Sequence, residues 1–233
     1  MENNLVDGAL WYAAFLFSTV CHEAAHAWSA LRLGDDTASR GGQVSLNPIP
    51  HVRREPIGMI VVPLLSWFGA GWIMGWASAP YNAQWARLYP RRTAIMAAAG
   101  PAANLALVLA AALFIRIGIE WQVFVEPYSI SMSRLVTAAD PDNFDLVAKI
   151  LSIFFSLNLL LCVFNLLPIP PLDGSSLPLL VLPEPAARKY FDVMRSPILQ
   201  LVGFVIISRG FGSFFTPILA FAASLLHPGS HYG

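Results

Sequence analysis

The chain has 233 residues, 56% of them hydrophobic and only 12% charged, with a mean hydropathy of +0.60 and a formal net charge of zero. This balance fits a membrane protein better than one or two soluble domains, and it leaves no basic surface for nucleic acid. The expected architecture is an all-α integral membrane protein, a polytopic helical bundle of about five spans forming one membrane-embedded domain over residues 1–233.

The opening M-E-N-N-L-V-D-G carries no Lys or Arg ahead of the first apolar run, and no small-x-small cleavage site follows, so a cleaved signal peptide is not expected. That run, Leu10 to Leu33, predicts a first spanning helix and contains H-E-A-A-H at His22, Glu23, Ala24, Ala25 and His26. Residues four apart on a helix stand about 6 Å apart along the axis and about 40° apart around it, so His22 and His26 share one face. Two imidazoles so placed can grip one zinc ion, with Glu23 beside them as a proton acceptor. Ionisable groups at the centre of a span cost roughly 2.5 to 3.5 kcal/mol or more unless something compensates them, which favours a ligated cation over a chance match.

Gly34, Asp35 and Asp36 end the first span. Glycines followed by alternating polar and apolar residues over 40–46 predict a short β-like hairpin, ended by the prolines of Asn47-Pro48-Ile49-Pro50-His51. Residues 57–76 are apolar enough for a second span and 93–117 for a third, whose first half is dense in small residues that let helices approach closely in lipid. The polar stretch 118–145 reads as an exposed connection and 146–167 as a fourth span. Pro168, Pro170 and Pro171 cannot continue a helix, so Asp173 hangs from irregular backbone, which is tolerated at membrane depth only when it is buried or lines a wet cavity. From Ile198 to Leu226 the chain is apolar again and reads as one interrupted span. Arg and Lys divide evenly between the two sides of this layout, so charge does not set its orientation. Cys21 and Cys162 lie in apolar runs and read as small buried hydrophobes.

A catalytic zinc needs a third protein ligand. His51, Asp173, His227 and His231 are the candidates. The last two sit in a Pro- and Gly-containing tail that reads as frayed, and Asp173 is favoured because a carboxylate beside a broken span needs a cation.

These motifs, together with G-W-A-S-A-P-Y-N at 75–82, A-G-P-A-A-N at 99–104 and N-L-L-P-I-P-P-L-D-G at 165–174, resemble the site-2 protease family of intramembrane zinc metalloproteases, in particular its compact prokaryotic members. The resemblance implies one zinc ion held by His22, His26 and Asp173, with Glu23 as general base. It also implies that Asn165, Asn104 and the His51 loop stand on the substrate or oxyanion side. The expected activity is hydrolysis of peptide bonds within or beside the transmembrane helix of a membrane-protein substrate, in a prokaryotic cell membrane. A membrane metal transporter or a non-proteolytic metal-binding scaffold could use the same three ligands, but neither requires Glu23, which favours the enzyme.

Overall fold

The computed structural model describes residues 5–229, and His231 lies outside them. Three long apolar helices form its frame: α1 (Leu5–Leu33), α6 (Pro90–Glu120) and α7 (Pro141–Leu166). Between α1 and α6 lie α2 (Thr37–Arg40), α3 (Pro48–Arg54), α4 (Val62–Ala70, preceded by a wider turn over Ile57–Val61) and α5 (Ala83–Leu88). After α7 come a tight helical segment, Asp173–Leu180, then α8 (Glu184–Met194) and α9 (Pro197–Leu226).

Helix α6 is the axis, packed against α1, α7 and the Asp173–Leu180 segment. Its inward face carries small or short residues, Ala94, Ala97, Gly100, Asn104 and Ala111, while Leu105, Leu109, Leu113 and Phe114 point outward and are exposed. A helix that is apolar outside and small or polar inside is built for a lipid surround, where close backbone approach replaces water expulsion as the source of packing. Helix α9 covers one flank through Phe215, Leu219, Ala223 and Leu226, which join Val108, Ile115 and Phe155 in the larger core. There Arg116 donates to the Leu226 carbonyl (2.8 Å) and His227 Nε2 bonds the Leu135 carbonyl (2.8 Å), so the end of α9 is tied down.

Among the described residues α1, α6 and α7 are each long and apolar enough to cross a membrane, and Pro197–Ile206 with Phe211–Leu226 would add a fourth span if that pair, bent by 60°, counts as one. The expected span over 57–76 is corrected: the helical part ends at Ala70 and reaches about 21 Å, short of the roughly 30 Å hydrocarbon core. Gly71 takes a left-handed conformation that ends the helix, and the chain doubles back until Trp76 N–H donates to the Gly58 carbonyl (3.1 Å). The β-like hairpin expected after the first span is also corrected. Residues 41–46 form turns and bends with no strand, closing α2 through Gly42 N–H to the Ser39 carbonyl (2.9 Å) and Gln43 N–H to the Ala38 carbonyl (3.1 Å). Asn47 and Pro48 then start α3, with the Asn47 side chain accepting from Ile49 N–H (3.0 Å) and proline at the first helical position, where its missing N–H costs nothing. The strand pair instead joins Phe124–Val125 to Thr137–Ala138, antiparallel, in the connection between α6 and α7.

Candidate metal centre

Helix α1 brings His22, Glu23 and His26 to its buried face, each only 6 or 7% exposed, and α7 ends in the proline-rich turn that returns Asp173 to them. Gly174 permits that return, since a Cβ there would collide with the Leu166 and Leu167 carbonyls. His22 Nε2 lies 3.1 Å from Asp173 Oδ2, His26 Nε2 lies 3.2 Å from the same oxygen, and the two Nε2 atoms are 3.0 Å apart. Tetrahedral ligands at about 2.0 to 2.1 Å from zinc stand roughly 3.3 Å from one another, so the triangle has the right size for one ion.

The outer nitrogens decide what the inner ones are. His26 Nδ1 bonds the Met96 carbonyl (2.7 Å), an acceptor only, so Nδ1 carries the proton and Nε2 offers a lone pair. His22 Nδ1 bonds Asn104 Oδ1 (2.6 Å), and that amide is itself oriented. Asn104 Nδ2 donates to Asn158 Oδ1 (2.9 Å), while Asn158 Nδ2 donates to the Phe154 carbonyl (2.8 Å) and to Ser18 Oγ (2.9 Å). The chain of amides ends on a backbone carbonyl and therefore reads in one direction, fixing His22 in the same tautomer as His26. Two lone pairs and a carboxylate then face one another across about 3 Å. They repel unless a cation lies among them, and two neutral imidazoles with one carboxylate form a zinc-type donor set.

The three ligands and Glu23 line a cavity of about 450 Å³ together with Thr19, Gly75 to Ala79, Tyr81, Phe164, Asn165 and Leu172. Glu23 has no hydrogen bond or salt bridge to any described residue, so its carboxylate is free for a molecule in the cavity. Asn165 uses one amide N–H on the Leu161 carbonyl (2.9 Å) and keeps the other. One wall is the non-helical segment after Trp72, clipped by Gln43 Nε2 to the Ser78 carbonyl (3.0 Å), by Ser78 Oγ to Glu55 (2.5 Å) and by Asn82 N–H to Asp35 Oδ2 (2.7 Å). Between those clips the N–H groups of Ala77, Ser78 and Ala79 have no partner among the described residues. Tyr190 O–H donates to the Ser175 carbonyl (2.9 Å), holding the segment that carries Asp173 against α8, and burial pushes this phenol up, which keeps it a donor at neutral pH.

Two of the residues expected on the substrate side stand elsewhere. Asn104 is fully buried behind His22 and does not line the cavity. His51 is also buried, its Nε2 bonding the Ser45 carbonyl (2.9 Å), and it does not line the cavity either. His227 is spent on Leu135. Sequence reasoning missed Asn158 and Gly100. A Cβ at Gly100 would collide with the Nε2 atoms of both histidines, so α6 supplies the floor of the centre by having no side chain there. The only hint of Asn158 was a lone amide in the apolar run Phe154–Leu161.

Because Asn158 sets the tautomer of His22 through Asn104, Asn158→Leu should lower zinc affinity by about 10- to 100-fold, the usual range for lost support of a metal ligand. Competition with a graded series of chelators reads this directly, and wild-type retention would remove Asn158 from the support of the centre.

The family model for Peptidase family M50 matches residues 11–208. YwhC of Bacillus subtilis (strain 168), named a zinc metalloprotease by inference, is 36% identical over 160 residues, covering 68% of this chain and 63% of that protein. Rip2 of Mycobacterium tuberculosis, similarly named, is 32% identical over 162 residues, covering 70% of this chain and 53% of that protein. The chain thus spans less than two thirds of the length of either relative. No solved structure gives a significant match.

Proposed function

Since the chain belongs to peptidase family M50, we propose that it is an integral membrane zinc metalloendopeptidase that cleaves peptide bonds within or beside the transmembrane segments of membrane proteins, in a prokaryotic cell membrane. The observation that carries this reading is an unpaired buried carboxylate, Glu23, lining the same cavity as a complete set of three zinc-type ligands. A zinc ion held by His22, His26 and Asp173 supplies Lewis acidity toward a peptide carbonyl and toward water. Glu23 takes the proton of the attacking water and returns it to the leaving amine. Asn165 directs its remaining amide N–H to the oxygen that gains charge.

A substrate helix must unwind before its carbonyls can be attacked, because they are otherwise bonded within the helix. The free N–H groups of Ala77 to Ala79 offer the unwound chain backbone donors to lie along. Regulated intramembrane proteolysis is the role this arrangement supports.

The test is cleavage of a panel of single-span substrates by the full chain in lipid vesicles, with zinc measured on the same preparation. We expect close to one zinc per chain and defined cleavage products, and we expect Asp173→Ala to lose both. Full zinc content in Asp173→Ala would show the wrong third ligand, and zinc without cleavage across the panel would refute the protease reading.

A further inference from the structure

The threonine one turn before the glutamate of H-E-A-A-H stands out by what it does not bond. Helical hydroxyls normally turn back to a carbonyl three or four residues earlier. In this chain Ser66 bonds Pro63, Thr93 bonds Tyr89, Ser152 bonds Ala148 and Thr216 bonds Gly212 in that way. Thr19 does not: its Oγ1 is buried and has no partner among the described residues, although the residue is only 7% exposed.

Thr19 is also placed where a ligand would come. It precedes His22 by three positions and Glu23 by four, so it stands on their face of α1, and it lines the same cavity as Phe164 and Asn165. An orphaned hydroxyl on a residue that lines a reaction cavity can take its acceptor from another molecule once rotation about χ1 turns it to the cavity. An unwound, extended peptide presents its carbonyls alternately to its two sides, so carbonyls that do not meet the Ala77–Ala79 N–H groups face away from them.

We propose that Thr19 Oγ1 donates a hydrogen bond to a backbone carbonyl of the substrate next to the scissile bond, and so fixes the register in which the peptide meets Glu23. This rests on the proteolytic reading above. A backbone carbonyl is present whatever the substrate's sequence, so the contact positions the substrate without selecting its side chains.

The proposal predicts opposite signs for stability and activity, which an ordinary packing role does not. Valine matches the shape of threonine and removes the orphaned polar group, so Thr19→Val should melt at the same temperature as wild type or higher and keep its zinc. Its kcat/KM should fall about ten-fold, the usual loss when a hydrogen-bonding partner is deleted, and the loss should appear mainly in KM. Thr19→Ser restores the hydroxyl and should recover most of the activity. Ser156 on α7 gives the control: it too is buried with an unpartnered hydroxyl but does not line the cavity, so Ser156→Ala should be as stable as wild type or more so and cleave normally.

The measurements are kcat, KM, zinc content and melting temperature for all four proteins in the vesicle assay. Wild-type kinetics in Thr19→Val overturn the proposal, as does an activity loss that Thr19→Ser shares in full, since that would trace the effect to packing. Failure of the wild-type chain to cleave any substrate is a different result, which removes the protease reading and this contact with it.

Discussion

Glu23→Gln is expected to keep its zinc and lose cleavage by about 10²- to 10⁴-fold, the range that general acid–base catalysis ordinarily contributes. The change preserves the size of the side chain and most of its hydrogen-bonding shape. It touches none of the three ligand atoms, and no described residue relies on Glu23 for a hydrogen bond, so neither the fold nor the metal site should respond. What disappears is the only unpaired carboxylate among the described residues lining the cavity, and with it the group that shuttles a proton from water to the leaving amine. The same variant separates the enzyme from a transporter that would use His22, His26 and Asp173 as a transit site. Transport needs the ligands and not the base, so zinc flux across the vesicle membrane would survive the substitution. Cleavage at the wild-type rate would remove Glu23 as the base, and flux without any cleavage in the unmodified chain would hand the site to the transporter.

How much of this centre could be read before the structure depended on how local the signal was. His22 and His26 were legible because four residues of helix place them on one face whatever the rest of the chain does. Asp173 was legible because three prolines in four positions force irregular backbone beside a span, and a carboxylate there needs a cation. Asn104 was visible as a polar residue in an apolar helix, but whether it faced substrate or a ligand depended on the crossing of α6 with α1, which no periodicity encodes. Asn158 and Gly100 were invisible for the same reason: each acts across a helix contact, one through an amide relay of three residues and the other by lacking a side chain. The architecture divided in the same way. The three helices long and apolar enough to span follow from apolar length, whereas the early end of the helix within 57–76 depends on the left-handed turn at Gly71 and on Trp76 finding the Gly58 carbonyl. The hairpin expected over 40–46 was lost to an ambiguity of local chemistry, because glycines mark a hairpin turn and a helix end equally well, and here Gly41 and Gly42 close α2.

Gly100→Ala should empty the metal centre, although by helix propensity it is a favourable change. In a helix interior alanine is preferred to glycine by about 1 kcal/mol, so at an open position the substitution stabilises. Gly69 on α4 is such a position, with nothing near where a Cβ would lie, and Gly69→Ala should be neutral or stabilising by up to about 1 kcal/mol. At Gly100 the added methyl would stand against the Nε2 atoms of both His22 and His26, the two atoms that must face the ion. The rings cannot simply step aside. His26 is tied through Nδ1 to the Met96 carbonyl on the same helix as Gly100, and His22 is tied through Nδ1 to Asn104, also on that helix. Moving the rings therefore breaks those bonds, while moving α6 away from α1 opens one of the two main helix contacts of α6; overpacking of this kind costs about 1 to 3 kcal/mol. Zinc ligation tolerates displacements of only about 0.2 Å, so either response should lower affinity by at least about 10²-fold. Zinc content and chelator competition on Gly100→Ala, beside Gly69→Ala as the reference, read the effect, and cleavage should fall in step with the metal. A Gly100→Ala protein that binds zinc as the unmodified chain does would mean that α1 and α6 are not as close at this crossing as the structure has them.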